Sequence, residues 1–448
     1  MDLDIKNIIF KSKYHLFKKS SLHIAKRLRA QQKMSEDELS HINWMKRKKI
    51  LDHAYHFVPF YKEKYQSAGM HPKDIKMRKD FELIPILTKQ ELRGSLDQMV
   101  SSNHNLTNLI PVSTGGSTGE PVKVYHDPSV KMDVFGWRML EWWGVEPSEN
   151  SALAYRSIPK GMNKLFNKIM WFPTRRCFLD ASYMTNNSIE KFLVEYNRNK
   201  TKLIIGYVGA IHALAMYLMR NNIKISPPKA VWTTSAPLPE FQRKFMQDIF
   251  KAPVYSQYGS CETFWLAAEC GKQNGMHMFS DIRHMEFVNS DGRDVGDNKY
   301  GNILVTDLEN YACPIIRYEN GDIGRSISKK CDCGINLPLM DTVKGRETDS
   351  IIMPNGDTIS GEFLTTIFDD FPDVVRAFQV KQSKDFSIEL LYVQADNAPD
   401  LNSINIVRDR ILKISNSQVP VILKKVDEIP HDRGKSKFIV SEVKLNYI

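Results

Sequence analysis

The residues from Pro111 to Asp127, P-V-S-T-G-G-S-T-G-E-P-V-K-V-Y-H-D, combine glycines with hydroxyl side chains in front of a strand-like V-K-V-Y. Glycine-rich turns with hydroxyl groups suit a phosphate, because bare backbone N–H groups and hydroxyls can point at the anion. A flexible surface loop has the same composition. This segment alone therefore leaves two interpretations, a phosphate-binding loop and an ordinary loop.

Further segments carry groups that suit a nucleoside triphosphate. Tyr258-Gly259-Ser260-Cys261-Glu262 ends a predicted strand and offers an aromatic ring to cover a purine and a carboxylate to hold Mg²⁺. Asp322, in I-R-Y-E-N-G-D, is expected at a turn and suits both hydroxyls of a ribose. G-R-E-T-D at 345–349 lies where the element pattern changes, and D-R-G-K-S-K at 432–437 places Lys435 on a tight loop.

Together these segments resemble the ordered core motifs of the adenylate-forming superfamily, the acyl-CoA synthetases and their relatives. The resemblance is strongest to the phenylacetate–CoA ligase-like branch, which includes adenylating proteins of capsular-polysaccharide clusters. It extends to Y-H-F-V-P-F-Y-K-E-K-Y at 55–65 and L-I-P-I-L-T-K-Q-E-L at 83–92. The resemblance implies a ligase that activates a carboxylic acid with ATP as an acyl-adenylate, releases pyrophosphate and passes the acyl group to CoA.

The resemblance also implies a role for each motif residue. The loop over the phosphates would consist of Ser113, Thr114, Gly115, Gly116, Ser117, Thr118 and Gly119. The nucleotide would also contact Ser235, Ala236, Pro237, Tyr258, Gly259, Ser260, Cys261, Asp322 and Arg346. Glu262 would hold Mg²⁺, and Lys435 would reach the α-phosphate, so that the catalytic residues would be Lys435, Glu262 and Thr118. Asp349 would be the hinge of a mobile C-terminal domain, and Tyr207 and Gly209 would line the acyl pocket.

Three positions depart from the usual motifs of this superfamily. Glu120 stands where a lysine is common, which removes a positive charge near the phosphates. Cys261 replaces a serine or threonine before the metal glutamate and would weaken one hydrogen bond to the nucleotide. Lys437 could replace Lys435 if the register of the terminal loop differs by two. None of these changes removes an indispensable group, so we expect an active enzyme.

The acceptor of the acyl group is not fixed by the sequence. CoA is the default, because the activity of the most similar branch uses it. The first alternative is transfer of the activated acid to an amine, as in a capsule or natural-product pathway. The second alternative is an inactive nucleotide-binding partner protein.

Cys270, His277, Cys331 and Cys333 carry the groups of a tetrahedral Cys₃His zinc site, since thiolate and imidazole suit Zn²⁺. Four protein ligands leave no open position, so such a zinc would be structural. The alternative is four unrelated residues, and His284 is the spare ligand. Trp137, Trp142, Trp143, His126, His212, Cys177 and Cys313 receive no functional role.

The composition of the 448-residue chain is that of an ordinary globular protein, with 42% hydrophobic and 25% charged residues. No apolar run approaches the length of a transmembrane helix, and residues 1–10 do not resemble a secretory signal, so we expect a cytoplasmic protein. The first 50 residues contribute a large share of the net charge of +10. A basic helix in this segment could contact anionic lipid, or its charged face could simply be solvated. No nucleic-acid partner is expected, and a homodimer stays open.

The pattern of elements predicts an α/β fold in two domains. Residues 1–348 form the large adenylating domain with parallel-rich sheets, and residues 1–50 are its basic helical extension. Short apolar runs alternate with helical stretches from about 110 to 345, as in sheets that bind ligands at their strand carboxyl ends. Residues 349–448 form a small α+β domain, with a helix at 362–371, paired strands, a helix near 401–415 and a further strand. The segment I-I-R-Y, ending at Tyr318, is expected to be a strand.

Overall fold

The computed structural model describes residues 3–113, 122–155, 158–159, 161–181, 184, 186–344, 351–354, 358–359, 364, 374–394, 402–415, 417–429 and 439–443. The chain forms two compact units. The first unit consists of Met1–Ser148 with Tyr255–Val343, and the second of Glu149–Val254 with Lys344–Ile448.

The helices follow the expected amphipathic segments. They are α1 (Leu3–Phe17), α2 (Lys19–Gln31), α3 (Glu36–Phe57), α4 (Pro59–Ser67), α5 (Lys89–Gly94), α6 (Met132–Trp142), α7 (Gly161–Trp171), α8 (Asn186–Asn199), α9 (Val208–Arg220), α10 (Glu240–Phe250) and α11 (Asn402–Ile414). Short 3₁₀ helices span Pro72–Asp74, Arg78–Leu83, Leu96–Met99 and Leu106–Asn108. Helix α3 begins at a capping box of Ser35 and Glu38, and ends where Pro59 starts the next helix. Helices α1, α2 and α3 cover most of residues 1–50, as expected for the basic helical extension.

The strands are β1 (Ile110–Ser113), β2 (Lys123–His126), β3 (Ser151–Tyr155), β4 (Arg176–Asp180), β5 (Leu203–Tyr207), β6 (Ala230–Thr234), β7 (Val254–Ser260), β8 (Phe264–Glu269), β9 (Met276–Met278), β10 (Arg283–Val288), β11 (Gly301–Asp307), β12 (Tyr318–Gly324), β13 (Ser326–Ile327), β14 (Leu339–Met340), β15 (Ile351–Ile352), β16 (Thr358–Ile359), β17 (Val375–Gln382), β18 (Ile388–Gln394), β19 (Val421–Lys425) and β20 (Ile439–Ser441).

The second unit contains the predicted alternation of strands and helices. Strands β6, β5, β3 and β4 lie side by side in this order, and β3 pairs in parallel with both β4 and β5. Helices α8 and α9 connect successive strands and bury their apolar faces in one core with them, including Tyr196, Ile204 and Leu214. Because the strands are parallel, their carboxyl ends share one edge, where ligands of such sheets bind.

Glycine is required at one position in this sheet. A Cβ atom at Gly206 would lie 2.7 Å from the carbonyl oxygen of Ala154 and 2.8 Å from its Cβ. Strands β3 and β5 therefore approach one another just before their carboxyl ends, and this approach sets the spacing of the residues that follow.

The first unit is built on antiparallel strands and helices. Strands β7, β8, β9, β14 and β13 follow one another in space, and β10, β11 and β12 form a second sheet. Two arginine–aspartate pairs, Arg138–Asp281 and Arg283–Asp307, are almost fully buried. Each places a bidentate or multiply bonded arginine in the interior, where an unpaired charge would be costly.

The C-terminal part of the second unit is an α+β sheet of β19, β18, β17 and β20, in this spatial order, with α11 against it. Strands β17 and β18 are the predicted paired strands and are antiparallel, and β19 is the predicted later strand. The amide of Gln382 joins this sheet to β15, because it accepts from the backbone N–H of Ile352 and donates to its carbonyl oxygen. The predicted α/β fold with a separate α+β domain is confirmed, whereas the helix at 362–371 and the boundary at 348/349 lie outside the described residues.

Two local predictions are wrong. The strand expected over I-I-R-Y begins only at Tyr318, because Arg317 has a φ of 47° and its guanidinium donates to the carbonyl oxygens of Glu82, Ile84 and Gly292. Asp322 lies within β12, not at a turn. Gly321 has a φ of 82°, and the pairing of β12 with β11 shifts register between Asn302 and Leu304. The strand is therefore irregular at the N-G-D residues, whose types are typical of a turn.

Candidate functional site

The segment around Tyr258 is a tight hairpin between β7 and β8. Ser260 pairs with Phe264, and residues Cys261 to Thr263 form the turn. A Cβ atom at Gly259 would lie 2.2 Å from the carbonyl oxygen of Phe264, so only glycine fits there. The Oγ of Ser260 accepts from the backbone N–H of Thr263 at 3.3 Å, which closes the turn. The geometry fixes Glu262 at the tip of the hairpin.

Tyr258, Asn320 and Asp322 form one hydrogen-bonded cluster. The Tyr258 hydroxyl donates to Asp322 Oδ2 at 2.8 Å, and Asn320 Nδ2 donates to the Tyr258 oxygen at 2.6 Å and to Asp322 Oδ2 at 3.2 Å. Burial, and then the Asp322 carboxylate, raise the pKa of Tyr258 well above its ordinary value, so the phenol remains a donor. These hydrogen bonds hold the Tyr258 ring at its hydroxyl group, so a face of the ring can stack on a nucleotide base.

Glu262 is buried, and its Oε1 accepts a hydrogen bond of 3.0 Å from the hydroxyl of Tyr318. The backbone on both sides of it is also held. His126 Nε2 lies 3.0 Å from the carbonyl oxygen of Cys261, and Arg283 Nε donates to the carbonyl oxygen of Thr263 at 2.8 Å. Burial lowers the pKa of His126, so the ring is neutral and its Nε2 carries the hydrogen that the carbonyl accepts. A carboxylate fixed in this way has the oxygen chemistry that Mg²⁺ prefers.

The second unit contains the residues predicted for the base pocket and the acyl pocket, at the carboxyl edge of its parallel sheet. Tyr207 ends β5 and is the residue before α9, whose first turn contains Gly209. Its ring meets that of Tyr155, at the end of β3, edge to face at 5.1 Å. Ser235, Ala236 and Pro237 follow β6, and Ser235 has a φ of 73°, a strained conformation of the kind that concentrates at functional sites.

The predicted phosphate loop begins at the end of a described strand. Ser113 ends β1, which is antiparallel to β2, so the two strands flank the predicted phosphate loop. The rest of that loop and the other predicted residues lie outside the described residues; they are Thr114, Gly115, Gly116, Ser117, Thr118, Gly119, Arg346, Asp349 and Lys435.

The structure brings Cys270, His277, Cys331 and Cys333 together. One ligand atom of each lies within 4.8 Å of the others, Cys270 Sγ lies 3.7 Å from Cys331 Sγ, and Cys333 Sγ lies 3.3 Å from His277 Nε2. A tetrahedral zinc with Zn–S bonds of about 2.3 Å and a Zn–N bond of about 2.0 Å would separate two sulfurs by about 3.8 Å, and a sulfur and a nitrogen by about 3.5 Å. The observed separations therefore fit zinc.

The surroundings of this cluster orient its ligands. His277 Nδ1 lies 3.0 Å from the carbonyl oxygen of Leu337, which directs Nε2 at the thiols, as in many zinc sites. The backbone N–H of Lys272 donates to Cys270 Sγ at 3.4 Å. His284, the spare ligand, is not part of the cluster, since its ring packs against Phe81 and its Nε2 lies 3.2 Å from Arg47 Nη1.

The residues that hold the predicted ones in place have weaker signals in the sequence. Asn320 and Tyr318 stand in the quoted I-R-Y-E-N-G-D segment, and their alternation with Asp322 along a strand could have indicated a shared face. Tyr155 was missed because no motif marks it. His126 and Arg283 act through backbone carbonyls, which leave no signal in the sequence.

Comparisons with known proteins find sequence relatives along most of the chain. The CapK C-terminal domain family matches residues 351–442. The chain is 23% identical to protein CapK of Staphylococcus aureus over 403 residues, 86% of this chain and 85% of that protein. It is also 23% identical to the phenylacetate-coenzyme A ligase of Escherichia coli K12 over 428 residues, 90% of this chain and 94% of that protein.

Among solved structures, 2-hydroxyisobutyryl-CoA ligase in the postadenylation state, in complex with R3-HIB-AMP, superposes with a TM-score of 0.77. The match covers 92% of this chain and 91% of that one, at 17% identity. The resemblance inferred from the motifs is thus confirmed: the chain is a homologue of CapK and of the phenylacetate-coenzyme A ligases, and it has the adenylate-forming fold of CoA ligases.

Proposed function

We propose that this chain is an ATP-dependent, adenylate-forming ligase that activates a carboxylic acid and passes the acyl group to CoA. The observation that carries the proposal is the 2.8 Å hydrogen bond between Tyr258 and Asp322, two residues that the motifs assign to the base and the ribose of one nucleotide. The similarity to a phenylacetate-coenzyme A ligase over 90% of the chain supports the choice of reaction.

The chemistry assigns a task to each residue. A carboxylate oxygen of the acid attacks the α-phosphorus of ATP, the bond from this phosphorus to pyrophosphate breaks, and an acyl-adenylate remains. Two anions must approach, so positioning and charge neutralisation dominate the catalysis. Tyr258 and Asp322 would bind the nucleoside, and Glu262 would hold Mg²⁺, which neutralises phosphate charge when bound. Lys435 would stabilise the charge at the α-phosphate, and the phosphate loop, Ser113 to Gly119, would hold the outer phosphates.

A thiol of CoA would then attack the adenylate carbonyl, and AMP would leave. Tyr207 and Gly209, with Tyr155 as a further candidate, would contact the acyl group at the carboxyl edge of the parallel sheet. We propose Asp349 as the hinge of the movement that separates the two half-reactions, and residues 349–448 as the moving domain.

The test is carboxylate-dependent exchange of pyrophosphate into ATP. We expect the Lys435→Ala variant to lose exchange by at least about a hundredfold, because the developing charge loses its partner. Lys437→Ala is the matched control, two positions away in the sequence, and should retain exchange. Unchanged exchange in Lys435→Ala would exclude the catalytic role, and loss only in Lys437→Ala would move the role by two residues.

An amine is the alternative acceptor. This alternative is supported by the similarity of the fold to that of the amide bond synthetase McbA of Marinactinospora thermotolerans, with a TM-score of 0.54 over 75% of this chain and 68% of that one. A pyrophosphate-release screen over aryl, fatty and amino acids, with and without CoA, separates the two cases. Release that is followed by a CoA thioester supports the ligase proposed here, whereas an amide formed only with an added amine supports the alternative.

We also propose that Cys270, His277, Cys331 and Cys333 bind one structural zinc. Such a zinc would join the strand after the Glu262 hairpin to the segment at 331–333, both in the first unit. We expect about one equivalent of zinc in untreated protein, and less than about half in Cys333→Ser. Cys261→Ser, which changes an exposed cysteine outside the cluster, should keep its zinc. Less than about half an equivalent in the unaltered protein would contradict the proposal.

Location and assembly stay predictions. In the part of the chain that the structure describes, no helix has both the length and the apolar character needed to cross a bilayer. The cytoplasmic location, the homodimer and a membrane contact of the basic residues 1–50 are proposed from the sequence alone.

A further inference from the structure

An open groove in the first unit lies between helix α3 and the segment at 72–76. Its volume is about 690 Å³, within the range of about 300–1,000 Å³ that small-molecule sites have. One wall is a single face of α3, because Met45, Lys48, Lys49 and Asp52 follow the spacing i, i+3, i+4 and i+7. None of the described lining residues belongs to the candidate nucleotide site or to the cysteine–histidine cluster.

The opposite wall is the short 3₁₀ helix Pro72–Asp74 and the residues after it. Pro72 is buried and Ile75 is 2% exposed, so this segment is anchored in the unit. Lys73 and Lys76 also line the groove, and both are exposed. Each wall therefore contributes two exposed lysines. We call these four residues the groove lysines; they are Lys48, Lys49, Lys73 and Lys76.

The groove lysines have no carboxylate partner. Among the described residues, none of the four forms an ion pair, whereas the fifth lining lysine, Lys46, pairs with Glu309. Asp52 is the only acidic residue in the described lining, and its Oδ1 lies 3.5 Å from His56 Nδ1. The groove therefore has a marked excess of positive charge.

The acidic residues that follow the second wall in the sequence are bound to backbone groups. Asp74 Oδ2 accepts from the backbone N–H of His71 at 2.9 Å. Asp80 Oδ2 accepts from the backbone N–H groups of Lys76 at 2.8 Å and Met77 at 2.7 Å. These carboxylates fix the backbone of the wall and leave the ammonium groups of the groove lysines to another anion.

We propose that this groove binds a small soluble ligand that carries an oligophosphate group. Four ammonium groups on two walls can neutralise several negative charges together, which a ligand with a single negative charge would not use. Lysine suits phosphate, because its ammonium is a compact charge with three donors that rotate freely. The α3 wall from Met45 to Asp52 is about 10 Å long, which matches a chain of about three linked phosphates.

The test is isothermal titration calorimetry of the full-length protein with sodium tripolyphosphate. We expect the double variant Lys48→Glu/Lys73→Glu, with one change on each wall, to bind at least about tenfold more weakly, because each change replaces an attraction with a repulsion. The matched control is Lys26→Glu/Lys299→Glu, which makes the same change in net charge at two exposed lysines outside the groove. It should bind like the unaltered protein.

The proposed phosphate loop could also bind this probe. That loop is the same in all three proteins, so the difference between the two double variants measures binding in the groove. Circular dichroism spectra and melting temperatures should agree among the three proteins, since all the changed side chains are exposed.

The inference is wrong if the unaltered protein does not bind tripolyphosphate, or if the groove variant binds it as tightly as the unaltered protein. Equal losses in both double variants would reveal an effect of net charge alone and would also overturn it. The remaining rival is a membrane surface. Sedimentation with phosphatidic acid vesicles that the groove variant loses, without any binding of tripolyphosphate, would replace the soluble ligand by a lipid headgroup.

Discussion

The buried pair of Arg283 and Asp307 offers a sharp test of what holds the Glu262 hairpin. Both side chains are fully buried, and Arg283 Nη1 donates to Asp307 Oδ1 at 2.7 Å. The same Oδ1 accepts from the backbone N–H groups of Glu309 at 2.9 Å and Asn310 at 3.3 Å. Arg283 Nε donates to the carbonyl oxygen of Thr263, next to Glu262. Removal of the Asp307 carboxylate should therefore disturb the position of Glu262 in the candidate magnesium site.

The Asp307→Ala variant leaves a buried cation without its partner and removes an acceptor for three donors. Breaking a buried pair in this way costs about 3–5 kcal/mol in the free energy of unfolding. This is a large share of the 5–15 kcal/mol or so that stabilises a typical domain. The control is Asp307→Asn, which keeps Oδ1 as an acceptor, removes the charge and puts an amide NH2 in place of Oδ2, which has no hydrogen-bond partner among the described residues. We expect the asparagine variant to lose about 1–3 kcal/mol.

Urea unfolding followed by tryptophan fluorescence measures these losses. Five of the seven tryptophans lie in the unit that contains the pair; they are Trp44, Trp137, Trp142, Trp143 and Trp265. We also expect a raised KM for ATP in Asp307→Ala, measured without urea at a temperature where the variant is folded. A loss below about 1 kcal/mol in Asp307→Ala, or equal losses in both variants, would refute this account of the pair.

Three further predictions follow from single contacts. Tyr258→Phe removes the hydroxyl that donates to Asp322, so the KM for ATP should rise about fivefold with little change in melting temperature. An unchanged KM would show that this hydroxyl has no part in nucleotide binding. Gly206→Ala forces a methyl group against Ala154 and should cost about 1–3 kcal/mol in urea unfolding, whereas Gly94→Ala, which has open space around it, should cost nothing measurable. Burial lowers the pKa of His212 from 6.5 to about 4. As the pH falls from 6.5 to about 4, only the unfolded chain gains a proton at this residue, so the free energy of unfolding should decrease in this window. Melting temperatures should fall less with acid in His212→Asn, and an identical slope in both proteins would contradict the assignment.

The sequence predicts those parts of the site that are local. Tyr258, Glu262 and Asp322 each stand in a short motif on a strand or directly after one, so residues close by in the sequence mark them. The parallel strands of the second unit were predictable for a similar reason, since an apolar run and the following amphipathic helix are adjacent in the chain. Likewise, the spacing of Cys331 and Cys333 already indicated a metal-binding turn.

The remainder depends on distant partners. The bond of His126 to the carbonyl of Cys261 joins residues 135 positions apart, and no side chain at 261 marks it. Arg317 interrupts a segment with the apolar pattern of a strand, because three carbonyl oxygens and Glu286 bind its buried guanidinium. Such contacts follow from the tertiary structure, and a single sequence does not contain them in readable form.

The close approach of β3 and β5 at Gly206 has a consequence for engineering the proposed acyl site. Tyr207 comes directly after this glycine, and Tyr155 comes directly after Ala154. The distance between the two backbones at Ala154 and Gly206 therefore sets the separation of both rings. Replacing either ring would change the surface at the carboxyl ends of the two strands and leave the backbone spacing in place, whereas any side chain at 206 would push the two strands apart. Libraries that diversify 155 and 207 while holding 206 as glycine should therefore yield folded proteins with new acid preferences.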